Sequence, residues 1–143
     1  MNEPTEIPSS RLLKSVESLF GKAIDKIAIA VARHDKTPAK ALDQFQVEGM
    51  ELANMRAELH GANAVLDYAD RCGHESALEQ RLATVFVGDI LVKLRARFER
   101  IRRTAAVSSN ELFEAFSTTA IEQFLDTALD PAYLDATGAE VIQ

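Results

Sequence analysis

Apolar residues follow a 3.6-residue period through most of this chain, and four stretches carry it. Over 9–34, Leu12, Val16, Leu19, Phe20, Ala23, Ile27 and Val31 recur at steps of three and four, which gathers them on one helical face. Ser9 or Ser10 offers a cap, and Arg33-His34-Asp35-Lys36 interrupts the pattern. A second helix is expected to begin at Pro38, where the missing N–H costs nothing, with Thr37 as its cap. Its stripe of Met55, Leu59, Ala62, Leu66 and Ala69 runs to about Cys72, and Gly73 supplies a C-terminal stop. A helix of roughly 35 residues is about 52 Å long, so partners must flank most of it.

Ser76-Ala-Leu-Glu79 has the form of a capping box, and Leu82, Phe86, Ile90, Leu91, Leu94, Phe98 and Ile101 give the third helix a wide apolar face to about Arg103. Ser108-Ser-Asn-Glu111 is a second capping box, followed by Leu112, Phe116, Ile121, Phe124, Leu125 and Leu129 on a shorter helix that Pro131 is expected to end. Val85-Phe86-Val87 and Ile90-Leu91-Val92 are β-prone but sit inside the helical period. The expected fold is all-α, an up-down-up-down four-helix bundle with long second and third helices. Gly49, Gly61 and Gly88 fall inside those helices, either where backbones approach closely or as tolerated glycines costing about 1 kcal/mol each against alanine.

Composition narrows the class. With 143 residues and 47% apolar content the chain can bury a single core, and no repeat, linker or domain boundary divides 9–143. Residues 1–8 are polar and acidic with two prolines, and are expected to form a disordered tail rather than a signal peptide. No apolar stretch approaches the about 18 residues of a membrane span. A net charge of −6 argues against general nucleic-acid binding. The lone Cys72 excludes an internal disulfide, which fits a cytoplasmic location.

Charge is unevenly placed. Lys93, Arg95, Arg97, Arg100, Arg102 and Arg103 crowd the end of the third helix, whereas 104–143 contains seven acids and no Lys, Arg or His. The cluster is either a phosphate-binding patch or, the favoured reading, a helix end whose cations complement the dipole and face the acidic fourth helix. Cys72-Gly-His74 is too short for a metal site, and Glu58-Leu-His60 lacks the Glu-x-x-His spacing of di-iron bundles, so neither these residues nor His34 is expected to bind metal. No nucleophile elbow, dinucleotide-binding glycine motif or P-loop is present, and Cys72 is expected to pack as a small apolar residue.

Lys36-Thr-Pro-Ala-Lys40, Phe45-Gln46 and Leu52-Ala-Asn-Met55, followed by Val85-Phe-Val-Gly-Asp-Ile90, stand in an order and spacing that resembles the C-terminal helical domain of the acyl-CoA dehydrogenase family. The likeness extends from about Leu12 to Ile101. It implies a helical bundle that assembles into oligomers and, in intact family members, completes an FAD site. Gln46 is the one residue it carries over as a possible flavin contact; the other reading is a surface or interhelical glutamine. The departures are equally specific. Asp35 stands near where the family places an arginine that reaches a neighbouring subunit's flavin, Ala39 replaces a glycine, and Ile101-Arg-Arg-Thr-Ala-Ala106 replaces a glycine-rich turn. Ala136-Thr137-Gly138 lacks the catalytic glutamate that precedes this pair in many members. The family's N-terminal helical and middle β domains have no counterpart.

The leading expectation is therefore a non-catalytic module that self-associates or docks on a dehydrogenase-like subunit, with no catalytic residues and no cofactor of its own. The alternatives are an accessory component that completes an FAD site with a partner, using Lys40 or the 100–103 arginines at the pyrophosphate, and an unrelated bundle with a small apolar ligand between its helices.

Overall fold

The computed structural model describes residues 9–34, 37–73 and 77–142, and every regular element within them is α-helical. In chain order these are α1 (Ser9–Leu12), α2 (Lys14–His34), α3 (Pro38–Gln44), α4 (Gln46–Cys72), α5 (Ala77–Ile101), α6 (Ser109–Phe116), α7 (Thr119–Ala128) and α8 (Pro131–Ile142).

α5 is the central element, packing on α4, α6, α7 and α8. Its pairing with α4 is antiparallel. Thr104, just past α5, donates to Glu48 at the start of α4 (2.8 Å), whereas Gln80 near the start of α5 donates to the Ala69 carbonyl near the end of α4 (2.6 Å). α2 packs against α4 and α6. One continuous core results, in which Val16, Met55, Val87, Leu94, Phe98 and Ile121 are fully enclosed. Phe98 and Phe116 meet edge to face, with centroids 5.8 Å apart.

Each expected helical stretch is present, but they divide into more than four segments. The first breaks at Leu13 and the second at Phe45, leaving α3 as a short lead-in that begins at Pro38 as its fixed φ favours. The fourth separates into α6 and α7 because Thr118 acts as a new N-cap, its side chain accepting the Ile121 N–H at 3.2 Å. Pro131 does not terminate that helix. α7 ends at Ala128, and Pro131 opens α8 at the position that needs no N–H, with the Asp130 carboxylate accepting the Ala132 N–H at 3.3 Å.

Helix ends elsewhere follow local chemistry. The Ser108–Glu111 capping box forms reciprocally, the Ser108 hydroxyl accepting from Glu111 N–H and the Glu111 carboxylate accepting from Ser108 N–H. Gly73 caps α4 at φ 71°. α5 is closed by Ala106 at φ 48°, with the Val107 N–H bonded to the Arg102 carbonyl at 3.0 Å. The expected box at Ser76 lies outside the described residues. Of the helical glycines, Gly88 marks a close approach: a Cβ there would lie 2.5 Å from the Ala128 Cβ of α7. Gly49 and Gly61 would meet nothing within 4 Å and are simply tolerated.

Two residues of the α5 stripe do not reach the core, and Leu129 just past α7 is likewise 47% exposed. Leu82 is 44% exposed and Phe86 45% exposed, because no described element covers that edge of α5. The buried face instead runs through Ala83, Val87, Ile90, Leu91, Leu94, Phe98 and Ile101.

Candidate functional site

The α4–α5 seam gathers most of the molecule's organised charge. Glu51 is only 3% exposed. It receives Arg97 Nη1 on one oxygen and Arg100 Nη1 on the other, both at 2.8 Å. Arg97 also grips Glu58, with Nε at 2.9 Å from Oε2 and Nη2 at 2.9 Å from Oε1. Thr104 to Glu48 extends the ladder by one turn. Glu48, Glu51 and Glu58 lie at steps of three and seven along α4, facing Arg97, Arg100 and Thr104 at steps of three and four on the antiparallel α5.

These contacts set the electrostatics. The Arg97 hydrogen bond, reinforced by Arg100, holds the Glu51 carboxyl below its ordinary value against the opposing effect of burial. Glu58 first and then Glu51 raise the Arg97 guanidinium further above its own. Glu51 and Arg97 therefore stay ionised and compensate one another. Arg97 and Arg100 pair with acids on α4 and Arg102 with Glu99 near the end of α5, so these three do not face the acidic segments of 104–143.

That arrangement bears on both anion binding and the flavin contact implied by the family resemblance. Gln46 begins α4 at the same end of the seam, so the fold does bring it near the arginine cluster. It is exposed, and its Nε2 donates to Asp43 at 3.3 Å. Arg97 has Nε, Nη1 and Nη2 all committed to Glu51 and Glu58, so a pyrophosphate would have to displace a carboxylate to reach it. Arg97 is therefore occupied as arranged, whereas Arg100, with its side chain 61% exposed, and Arg103 keep guanidinium groups facing solvent. Lys40 lies exposed on α3, and Asp35 is outside the described residues.

The remaining polar candidates are scattered. His34 is exposed and meets Phe45 edge-on, with centroids 5.8 Å apart. His60 lines a shallow depression of about 280 Å³ between α2 and α4 with Arg56, Asn63, Glu17 and Phe20, where Asn63 Nδ2 donates to Glu17 at 2.5 Å. His74 lies outside the described residues. Cys72 is half-buried beside Tyr68. Among the described residues no group of three or more His, Cys, Asp or Glu side chains could hold a metal ion, and no helix is long and apolar enough to cross a membrane.

Next to the ionic seam, α4 and α5 share an uncovered apolar face. Tyr68 is 54% exposed, half-buried Val65 lies one turn before it, and Leu82 and Phe86 stand opposite on α5. Glu79 lies close enough to influence the Tyr68 hydroxyl, whose pKa is raised by Cys72 and then by Glu79. Glu58 likewise acts on Lys93 across the seam. The Gln80 bond to the Ala69 carbonyl sets the register here and puts Tyr68 and Leu82 at the same level along the two helices.

Reading the sequence overlooked Glu51 and weighed Glu58 only as a metal ligand, not as an arginine partner. The available signal was Glu51 itself, an acid four residues before Met55 and in line with the buried stripe, where an unpaired carboxylate could not remain. Comparison of the chain with family models, with curated proteins and with solved structures finds no match.

Proposed function

We propose that this chain is a non-catalytic helical interaction module whose working part is the outer α4–α5 face. The observation that carries this reading is the exposure of Tyr68, Leu82 and Phe86 together on the two most extensively packed helices. Contiguous apolar surface on a rigid support is the usual character of a docking site. Rigidity comes from the adjoining Glu51–Arg97–Glu58 cluster, which fixes α4 against α5 with paired charges.

The resemblance to the acyl-CoA dehydrogenase helical domain supports the same reading, since that domain builds assemblies. Under it, α2, α4, α5 and the divided α6–α7 pair are the four arms of an up-down-up-down bundle. Arg97, occupied by Glu51 and Glu58, favours a structural over a cofactor-holding use of that scaffold.

Light scattering on the purified chain, alone and mixed with a dehydrogenase-like subunit, tests the proposal. A stable assembly in either sample, colourless and unaltered by added FAD, is the expected result. A chain that stays monomeric and ignores the subunit, or that retains flavin by itself, overturns it.

A further inference from the structure

The uncovered α5 edge carries a pattern that selects its occupant. Glu79, Leu82, Phe86, Asp89 and Lys93 recur at alternating steps of three and four, which places them on one stripe. Phe86 is at its midpoint, with an acid seven residues before it and a base seven residues after. Lys93 bonds Asp89 of its own helix at 2.6 Å, yet both side chains stay more than half exposed, at 57% and 59%.

A two-fold axis through Phe86 turns this stripe onto itself in antiparallel register. Phe86 then meets Phe86 of a second copy, and Glu79 of each chain lies opposite Lys93 of the other. Leu82 falls beside Asp89 of the second copy, whose charge Lys93 already compensates. Tyr68 and Val65, on the α4 side of the same face, flank the aromatic centre. Isologous contacts of this kind close on themselves and need only one self-complementary patch.

Resting on the interaction-module reading, we infer that the partner of the α4–α5 face is a second copy of this chain, paired two-fold about Phe86 with Glu79–Lys93 bridges on either side. The stripe from Glu79 to Lys93 covers about 21 Å of helix. Two helices wide, it is at the small end of specific interfaces, so the dimer forms in the micromolar rather than the nanomolar range.

Sedimentation equilibrium of wild type and variants tests the pairing, with circular dichroism confirming that each is folded. Because Phe86 is half exposed, Phe86→Glu keeps the helices while weakening the dimer by ~30-fold or more. Glu79→Lys and Lys93→Glu each weaken it, and the two together restore it to within about twofold of wild type. In a Cys72→Ala background, Phe86→Cys cross-links under mild oxidation, since a residue on the axis meets its own copy, while Phe113→Cys on α6 does not. A dimer indifferent to Phe86→Glu, or cross-linking through Phe113→Cys alone, overturns this pairing and leaves the module reading standing. So does a monomeric chain that binds a dehydrogenase-like subunit through a face sensitive to Phe86→Glu. A monomer that binds nothing overturns both.

Discussion

Glu51 is nearly sealed from solvent and holds two guanidiniums, so its charge cannot be removed without leaving Arg97 half-satisfied within the seam. Glu51→Gln keeps the shape and loses the charge, and is expected to cost about 2 kcal/mol in urea denaturation at neutral pH. Replacing Glu51 and Arg97 together by apolar residues is expected to cost less than the sum of the single changes, because an unpaired buried charge is worse than none. The pH dependence has a fixed sign. Glu51 has a folded-state pKa below its ordinary 4.5, so its contribution is fully present above that value and disappears as pH falls through the lowered one. The stability gap between wild type and Glu51→Gln should therefore close progressively below about pH 4.5 in acid titrations followed by circular dichroism. A gap that persisted unchanged in acid would show that Glu51 acts through packing alone.

Among the elements, the α5–α7 crossing depends on one hydrogen atom. At Gly88 a methyl group would lie 2.5 Å from the Ala128 Cβ, so the helices would have to separate. Gly88→Ala is expected to destabilise by about 1–3 kcal/mol although alanine is the better helix former. Gly49→Ala on α4, with nothing within 4 Å, is expected to stabilise by roughly 0.5–1 kcal/mol. Thermal melts of the pair give opposite shifts. Caps provide a second check: Ser108→Ala removes the reciprocal bonds at α6 and should cost about 1 kcal/mol, and Thr118→Ala a similar amount at α7. Helix boundaries were legible where a dedicated residue marks them, as at Pro38, Gly73 and Ser108. They were missed where the signal was ambiguous. Thr118 follows Ser117 inside an apolar period, Pro131 can stop a helix or open one, and Ala106 occupies a left-handed position where glycine is the expected marker.

For the whole molecule, cohesion is concentrated in a core that runs from α1 to α7, and α8 is peripheral. α8 buries only Thr137, and is held chiefly to α5 through Arg81, which lies over the Tyr133 ring and bridges Glu140 at 3.4 Å. Truncation after Asp130 is therefore expected to leave a single cooperative transition with a melting temperature lower by roughly 5 °C. Loss of cooperativity, measured by calorimetry, would show that α8 belongs to the core. The exposed α4–α5 face is a property at the same scale. Leu82 and Phe86 have the right period for burial, but no described element lies over them.

The sequence by itself determined the helical class, the positions of the long helices and most of the core. Those properties depend on period and on local caps, which are encoded within a few residues of where they act. Which apolar face would remain open, and which acids would answer the α5 arginines, was decided only by tertiary structure. Both depend on the antiparallel register of α4 against α5, which brings Glu51 to Arg97 across 46 residues of chain and leaves Phe86 on the outside. Spacing along one helix fixes which residues share a face; only packing fixes what that face meets.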